Sequence, residues 1–106
     1  MEVTPAAYQA LVKRVLEGEG TASRAERRAA FDNALVGEPL RMLIGKVAQR
    51  PTQITDEDFT AVKESGFGED QIFELVVCAA IGQATRQYQS ALGALAAALT
   101  HERRSA

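Results

Sequence analysis

Cys78 and Glu74 are the first residues in this chain whose types and spacing could do chemistry. Residues four apart share one face of a helix, so a carboxylate at Glu74 could exchange a proton with a thiolate at Cys78. The surroundings favour a different interpretation, because residues 75–81 are apolar throughout. There a cysteine acts as a small hydrophobic residue, and desolvation raises the pKa of its thiol. We therefore expect Cys78 to be buried and inert, with Glu74 either exposed or paired with Arg86 of another subunit.

A second candidate site follows, where Gln83, Arg86 and Tyr88 interrupt an otherwise apolar pattern. Arg86 could bind the carboxylate or enolate of a small acidic molecule at the mouth of a helix-lined pocket, with Gln83 or Tyr88 donating a hydrogen bond. The same residues would also suit a solvated helix face or an intersubunit salt bridge. Both interpretations stay open from the sequence.

Other catalytic arrangements are absent from the sequence. His101 is the only histidine and stands near the C-terminus, so it completes no Ser-His-Asp set and no cluster with metal-ligand spacing. There is no glycine-rich loop of the kind that holds phosphate. We expect no metal and no cofactor.

The composition is that of one globular domain spanning residues 1–106, since 46% of the residues are apolar and 25% are charged. The longest apolar run has seven residues, whereas a membrane-spanning helix needs about 20, so we expect a cytoplasmic protein without membrane contact. The net charge of -2 argues against a general electrostatic attraction to nucleic acid. The basic run Arg24, Arg27 and Arg28, interrupted by Glu26, is interpreted as a solvated helix face.

Proline, glycine and capping residues divide the chain into five helical segments with no strand pattern, so we predict an all-α fold. The first four segments begin at a capping residue or a proline: Thr4-Pro5, Ser23 with Glu26, Pro39, and Thr55 with Asp58. Their expected ends are Gly18, Gly37, the residue before Pro51, and Gly66. The fourth and fifth segments form a hairpin in which Gly66 suits the left-handed backbone conformation.

The fifth segment runs from about Glu69 to about His101, and its pattern changes midway. Residues 72–81 are apolar nearly all round, which predicts burial on every side. A seven-residue repeat typical of a coiled-coil seam then follows, formed by Ile81, Tyr88 and Leu95.

The length of this fifth segment bears on assembly. One straight helix of about 32 residues would be about 48 Å long, whereas a compact domain of this size is about 33 Å across. Either the helix breaks near Gly82, where glycine weakens a helix, or its second half projects onto another subunit. We favour the projecting, oligomeric interpretation, and expect residues 101–106 to fray.

Residues 54–82 resemble the helical hairpin of the alkylhydroperoxidase D-like, or carboxymuconolactone decarboxylase-like, superfamily. The residues that carry the resemblance are, in order, Ala61, Gly66, Glu69, Asp70, Ile72, Glu74 and Leu75. The resemblance extends from about residue 39 to about residue 95. It implies an all-helical fold that assembles into trimers, hexamers or related rings of helices.

The family's catalytic residues are not matched. Its peroxidases use a Cys-x-x-Cys pair followed by a histidine, because a thiolate attacks the peroxide and a second cysteine resolves the sulfenic acid. Counting back from Gly66 places those positions near Pro51, Ile54 and Asp58, none of which can do this. Its decarboxylases use a histidine in a pocket, whereas His101 belongs to the terminal turn.

We therefore expect a divergent, oligomeric member of that superfamily that lacks the redox pair and is non-catalytic or binds a small molecule. The alternative is an enzyme, either a thiol-dependent peroxidase using Cys78 and Glu74 or a decarboxylase- or isomerase-like activity using Arg86. An accessory subunit of another protein is a third class. The expected partners are further copies of the chain, as a trimer or hexamer, and a small acidic molecule, with neither nucleic acid nor a membrane.

Overall fold

The computed structural model describes residues 5–105, and these form five α-helices with no strand among them. The helices are α1 (Ala6–Glu17), α2 (Arg24–Phe31), α3 (Leu40–Gln49), α4 (Asp56–Glu64) and α5 (Glu69–Ser105), with one 3₁₀ turn at Pro51–Gln53. The all-α prediction with five helices is therefore confirmed for this part of the chain. The predicted cap Thr4 lies outside the described residues.

Two predicted capping boxes mark the helix starts. The hydroxyl of Ser23 accepts from the backbone N–H of Glu26, whose carboxylate accepts from the N–H of Ser23. Thr55 and Asp58 make the same reciprocal pair at α4. These bonds satisfy N–H groups that the first turn of a helix leaves without partners. Gly66 has a φ of 114°, so the hairpin turn has the predicted left-handed glycine.

The second helix ends earlier than the sequence predicts, at Phe31 rather than Gly37. Asn33 adopts a positive φ of 53°, a conformation that asparagine tolerates better than most residues. Its N–H donates to the carbonyl of Ala30 at 3.1 Å, and the N–H of Ala34 donates to the carbonyl of Ala29 at 2.8 Å. This is a Schellman-type end, and it leaves the carbonyl of Phe31 available to another partner.

The core lies along one side of α5, which packs against α1, α2 and α3. Its largest fully buried side chains are Leu43, Ile44, Val62, Leu75 and Cys78. The expectation that residues 72–81 are buried on every side is wrong, since Phe73 is 70% exposed and Ala80 is also exposed. The four shorter helices cover only one face of α5, so its opposite face remains open to solvent.

The fifth helix is continuous through Gly82 and extends past the rest of the fold. Its 37 residues correspond to about 55 Å, close to the longest dimension of the molecule, 60 Å. The radius of gyration is 16.8 Å, against about 13 Å for a compact domain of this size. Helix α5 therefore has a proximal half (69–86) that packs in the fold and a distal half (87–104) that projects from it. Fraying of the last residues stays a prediction.

Candidate functional site

Cys78 lies in the core and is 1% exposed. Its thiol donates to the carbonyl oxygen of Val15 on α1, at 3.4 Å. Burial raises the pKa of the Cys78 thiol, the charge of Arg27 lowers it to a lesser degree, and the carboxylate of Glu74 raises it further. A buried thiol with a raised pKa forms little thiolate, so the geometry suits a structural cysteine rather than a nucleophile.

Glu74 is half-buried and holds the loop that joins α1 to α2. The backbone N–H of Thr21 donates to its two carboxylate oxygens at 3.0 and 2.9 Å, and the N–H of Ala22 donates at 3.2 Å. The hydroxyl of Thr21 donates to the same carboxylate. Burial raises the pKa of Glu74, but these hydrogen bonds and the charge of Arg27 outweigh it, so the pKa lies below its ordinary value. The carboxylate is thus ionised and hydrogen-bonded to the loop at Thr21 and Ala22.

Arg27 is a buried cation that the sequence interpretation missed. It is 5% exposed, and its Nη1 donates to the carbonyl of Gly18 at 2.7 Å and to that of Val15 at 3.3 Å. The expected solvated face is therefore wrong for this residue. Its spacing from Ala30 and Phe31, three and four residues on, places it on the inward face of α2 and was the available signal.

Arg86 and Gln83, two of the predicted ligand-binding residues, lie together on α5. The Nη1 of Arg86 donates to the carbonyl oxygen of Phe31 at 2.6 Å, and its Nη2 donates to Oε1 of Gln83 at 2.9 Å. Arg86 thus binds the carbonyl that the early end of α2 leaves available. Tyr88 lies on the outer face of α5, 41% exposed. The structure places this group at the junction of α2 and α5.

A cavity of about 370 Å³ lies between α1 and the proximal half of α5. It is lined by Leu11, Arg14, Val15, Gly18, Glu19, Arg27, Phe73, Glu74 and Val77. The Nε of Arg27 is buried beside it and has no acceptor among the described residues. The cavity combines an apolar wall with charges of both signs, and sequence spacing gave no indication of it because its walls come from three separate segments.

The open face of α5 carries one continuous apolar stripe. Its members follow one another at intervals of three or four residues: Phe73, Val77, Ala80, Ala84, Tyr88, Ala91, Leu95 and Ala98. All are exposed except Val77, which is half-buried. The seven-residue repeat indicated part of this stripe through Tyr88 and Leu95. Its continuation onto the proximal half was not expected, because that half was predicted to be enclosed.

Two further apolar cavities lie beside this stripe. One, of about 430 Å³, is formed by α4 and α5 around Phe59, Ile72 and Phe73. The other, of about 290 Å³, lies between α1 and α5 at Tyr8 and Ala84. The cavity at Leu11 and Val77 also borders the stripe, so three depressions along α5 have a stripe residue in their walls.

Neither a metal centre nor a membrane span is found in the described part of the chain. Residues 5–105 contain no group of three or more histidine, cysteine or acidic side chains placed to hold a metal ion. None of the helices there is both long and apolar enough to cross a bilayer. No protein-family model, no curated protein and no solved structure matches this chain.

Proposed function

We propose that this protein is a non-catalytic, self-assembling helical protein of the alkylhydroperoxidase D-like type, which forms a homo-oligomer through α5. The observation that carries the proposal is the composition of the distal half. Residues 87–100 include no charged side chain, although the helix projects from the fold and leaves them largely exposed. A solvated helix is ordinarily covered with charges, whereas the core of an interface is depleted of them.

The energetics favour covering this half. Full burial of a leucine is worth about 1.5–3 kcal/mol, and Leu95 and Leu99 are both close to half exposed in the isolated chain. Helices in folded proteins gain most of their stability from packing of an apolar face rather than from propensity. Contact with further copies would supply that packing. The resemblance described above implies trimers or hexamers, and a cytoplasmic location is part of the same proposal.

The non-catalytic part of the proposal rests on Cys78 and Glu74. The thiol is enclosed, its pKa is raised, and the carboxylate is bound to Thr21 and Ala22. A peroxidatic cysteine needs an accessible thiolate, which this arrangement opposes. A non-catalytic protein is therefore favoured over a thiol-dependent peroxidase.

The test of self-assembly is a pair of charge-introducing variants. Leu95→Glu places a charge on the stripe, and Gln89→Glu places the same charge elsewhere on the same half of α5. Native mass spectrometry and sedimentation equilibrium should show an oligomer for the unmodified protein and for Gln89→Glu, and mainly monomer for Leu95→Glu. A monomeric unmodified protein at micromolar concentration contradicts the proposal.

Binding of a small acidic molecule is a second candidate function, and the cavity beside α1 favours it. There Arg14 and Arg27 line the cavity with an apolar wall of Leu11, Phe73 and Val77, a combination that suits a carboxylate with an apolar tail. Glu19 and Glu74 line it too, and Glu74 is already hydrogen-bonded to the loop. The predicted site at Arg86 is less favoured, because two of its donor groups already bind Phe31 and Gln83. Thermal shift with benzoate and hexanoate, each compared with the matching alcohol, tests this candidate. An equal rise in melting temperature with the acid and with its alcohol contradicts this candidate. So does a rise with the acid that persists both in Arg14→Ala and at high salt.

A further inference from the structure

The geometry points to an antiparallel pairing of two copies of α5, in which the distal half of one copy lies on the open face of the proximal half of the other. This inference rests on the proposed self-assembly and specifies its partner surface. The surface consists of the eight stripe residues from Phe73 to Ala98. At 1.5 Å per residue the stripe is about 38 Å long, and it covers roughly 400 Å² if about 10 Å wide, a size that on a monomer is often functional.

The order of residues along the stripe favours the antiparallel direction. Reversing one copy about a two-fold axis near residue 86 brings every stripe residue opposite another one: Phe73 with Ala98, Val77 with Leu95, Ala80 with Ala91, and Ala84 with Tyr88. Each aromatic ring then meets an alanine. In a parallel, in-register pair Phe73 would meet Phe73 and Tyr88 would meet Tyr88, while four alanine positions would face only alanine. An interface in which large side chains face small ones packs more densely than one in which rings face rings and alanines face alanines. The antiparallel direction is therefore favoured.

The charges at the two ends of α5 favour the same direction. Its first turn carries Asp70 and Glu69, the latter already paired with Lys63 at 2.7 Å, and its last turn carries Arg103 and Arg104 next to Glu102. Antiparallel pairing brings the acidic start of each copy close to the basic end of the other, and it also opposes the two helix dipoles. Parallel pairing would place acid beside acid and base beside base.

The cavities next to the stripe supply room for the partner's side chains. Phe73 lines both the cavity at Leu11 and the cavity at Phe59. In the antiparallel pair, side chains near the C-terminal end of the partner's α5 would occupy these two cavities. The depression at Tyr8 and Ala84 lies at the position that the partner's Tyr88 reaches. Since the stripe alone is smaller than the roughly 800 Å² per partner of a standard interface, these flanking residues must contribute to a stable pair.

A two-fold pair restricts the assemblies that the chain can form. A dimer contains the axis directly, and a hexamer with dihedral symmetry contains it as three pairs. A simple three-fold ring contains no two-fold axis. Between a trimer and a hexamer, the inference is compatible with the hexamer alone.

Cysteine crosslinking distinguishes the directions. We would prepare two variants of the full chain, Ala80→Cys and Ala91→Cys, and add a small mass tag to one of them. Each variant is oxidised mildly by itself, and a mixture of the two is oxidised in the same way. The antiparallel pair places position 80 of one copy opposite position 91 of the other, whereas identical positions are separated by about 16–17 Å along the axis. A disulfide needs Cα atoms within about 7 Å, so crosslinked dimer is expected only in the mixed sample. The buried Cys78 serves as the internal control and should not react.

The other results overturn the inference in different ways. Crosslinking of each variant with itself would show a parallel pair. Absence of any disulfide in a sample that native mass spectrometry finds oligomeric would place the contact on another surface, and self-assembly itself would stand. A monomer by native mass spectrometry would remove both proposals. Circular dichroism of each variant establishes that the helices have formed.

Discussion

The carbonyl oxygen of Phe31 lies directly against the Cα of Gly82, so close that a Cβ at position 82 would overlap it. The same oxygen accepts the hydrogen bond from Arg86, one turn further along α5. The end of α2 thus rests on a position of α5 that has no side chain, and the guanidinium of Arg86 donates a hydrogen bond to its last carbonyl. The glycine that appeared in the sequence as a candidate break is a point of close contact between the end of α2 and α5.

Gly82→Ala should destabilise the fold by about 1–3 kcal/mol, the usual cost of overpacking, because the clash is with backbone that has little room to move. Gly93→Ala is the matched control. A Cβ there meets nothing within 4 Å, so removal of glycine from the helix should stabilise it by about 0.5–1 kcal/mol. Urea unfolding followed by circular dichroism measures both. Equal effects at the two positions would contradict the close approach.

Arg86→Met should cost about 1–3 kcal/mol, because it leaves the carbonyl of Phe31 without its charged donor. Arg24→Met, at an exposed position at the start of α2, removes the same charge and should change the free energy of unfolding by less than about 0.5 kcal/mol. Urea unfolding of the two variants at equal protein concentration is the measurement. Indistinguishable midpoints would mean that the Arg86 bond contributes nothing to the junction.

The Glu74 carboxylate should make the fold sensitive to acid. Its pKa is lowered in the folded state, so its stabilising contribution is fully present above the ordinary value of 4.5 and is lost as the pH falls through the lowered pKa. Glu74→Gln should therefore lower the Tm at about pH 7 and flatten the fall of Tm between about pH 5 and about pH 3. Glu64→Gln makes the same chemical change at an exposed position of α4 and should leave the curve almost unchanged. The curves of the three proteins are compared by circular dichroism across that range.

Cys78 should be inert to a thiol reagent while the protein is folded. Enclosure and the raised pKa both oppose reaction, so the rate with a disulfide reagent should rise to that of a free thiol only in denaturant. Ala97→Cys adds an exposed thiol on the same helix, away from the stripe, and that thiol should react at once. Quantitative labelling of native Cys78 within the dead time would instead favour the peroxidase alternative.

Local signals predicted the parts of this fold that depend on neighbouring residues. Ser23 and Thr55 cap the helices they were expected to cap, because each hydrogen bond joins residues three apart. Burial of Cys78 followed from the apolar run around it. These features need no knowledge of what lies across the core.

Apart from the early end of α2, which is local to Asn33, the misses depend on how segments distant in sequence pack together. Phe73 was expected to be enclosed, but no helix of the described chain covers that side of α5. Arg27 was interpreted as solvated, but the carbonyl ends of α1 draw it inward. Proximity of Gln83 to Arg86 follows from helical spacing, whereas the acceptor at Phe31 stands 55 residues away and could not be inferred from either residue.

The projecting half of α5 also determines how the molecule moves through solvent. An 11.4 kDa monomer with dimensions of 60 × 29 × 20 Å has more translational friction than a sphere of equal mass. It should leave a gel-filtration column early, at the volume of a larger globular standard. Antiparallel pairing adds mass without adding much length, so a dimer should elute only slightly ahead of the monomer. Elution volume alone would therefore misjudge the number of subunits.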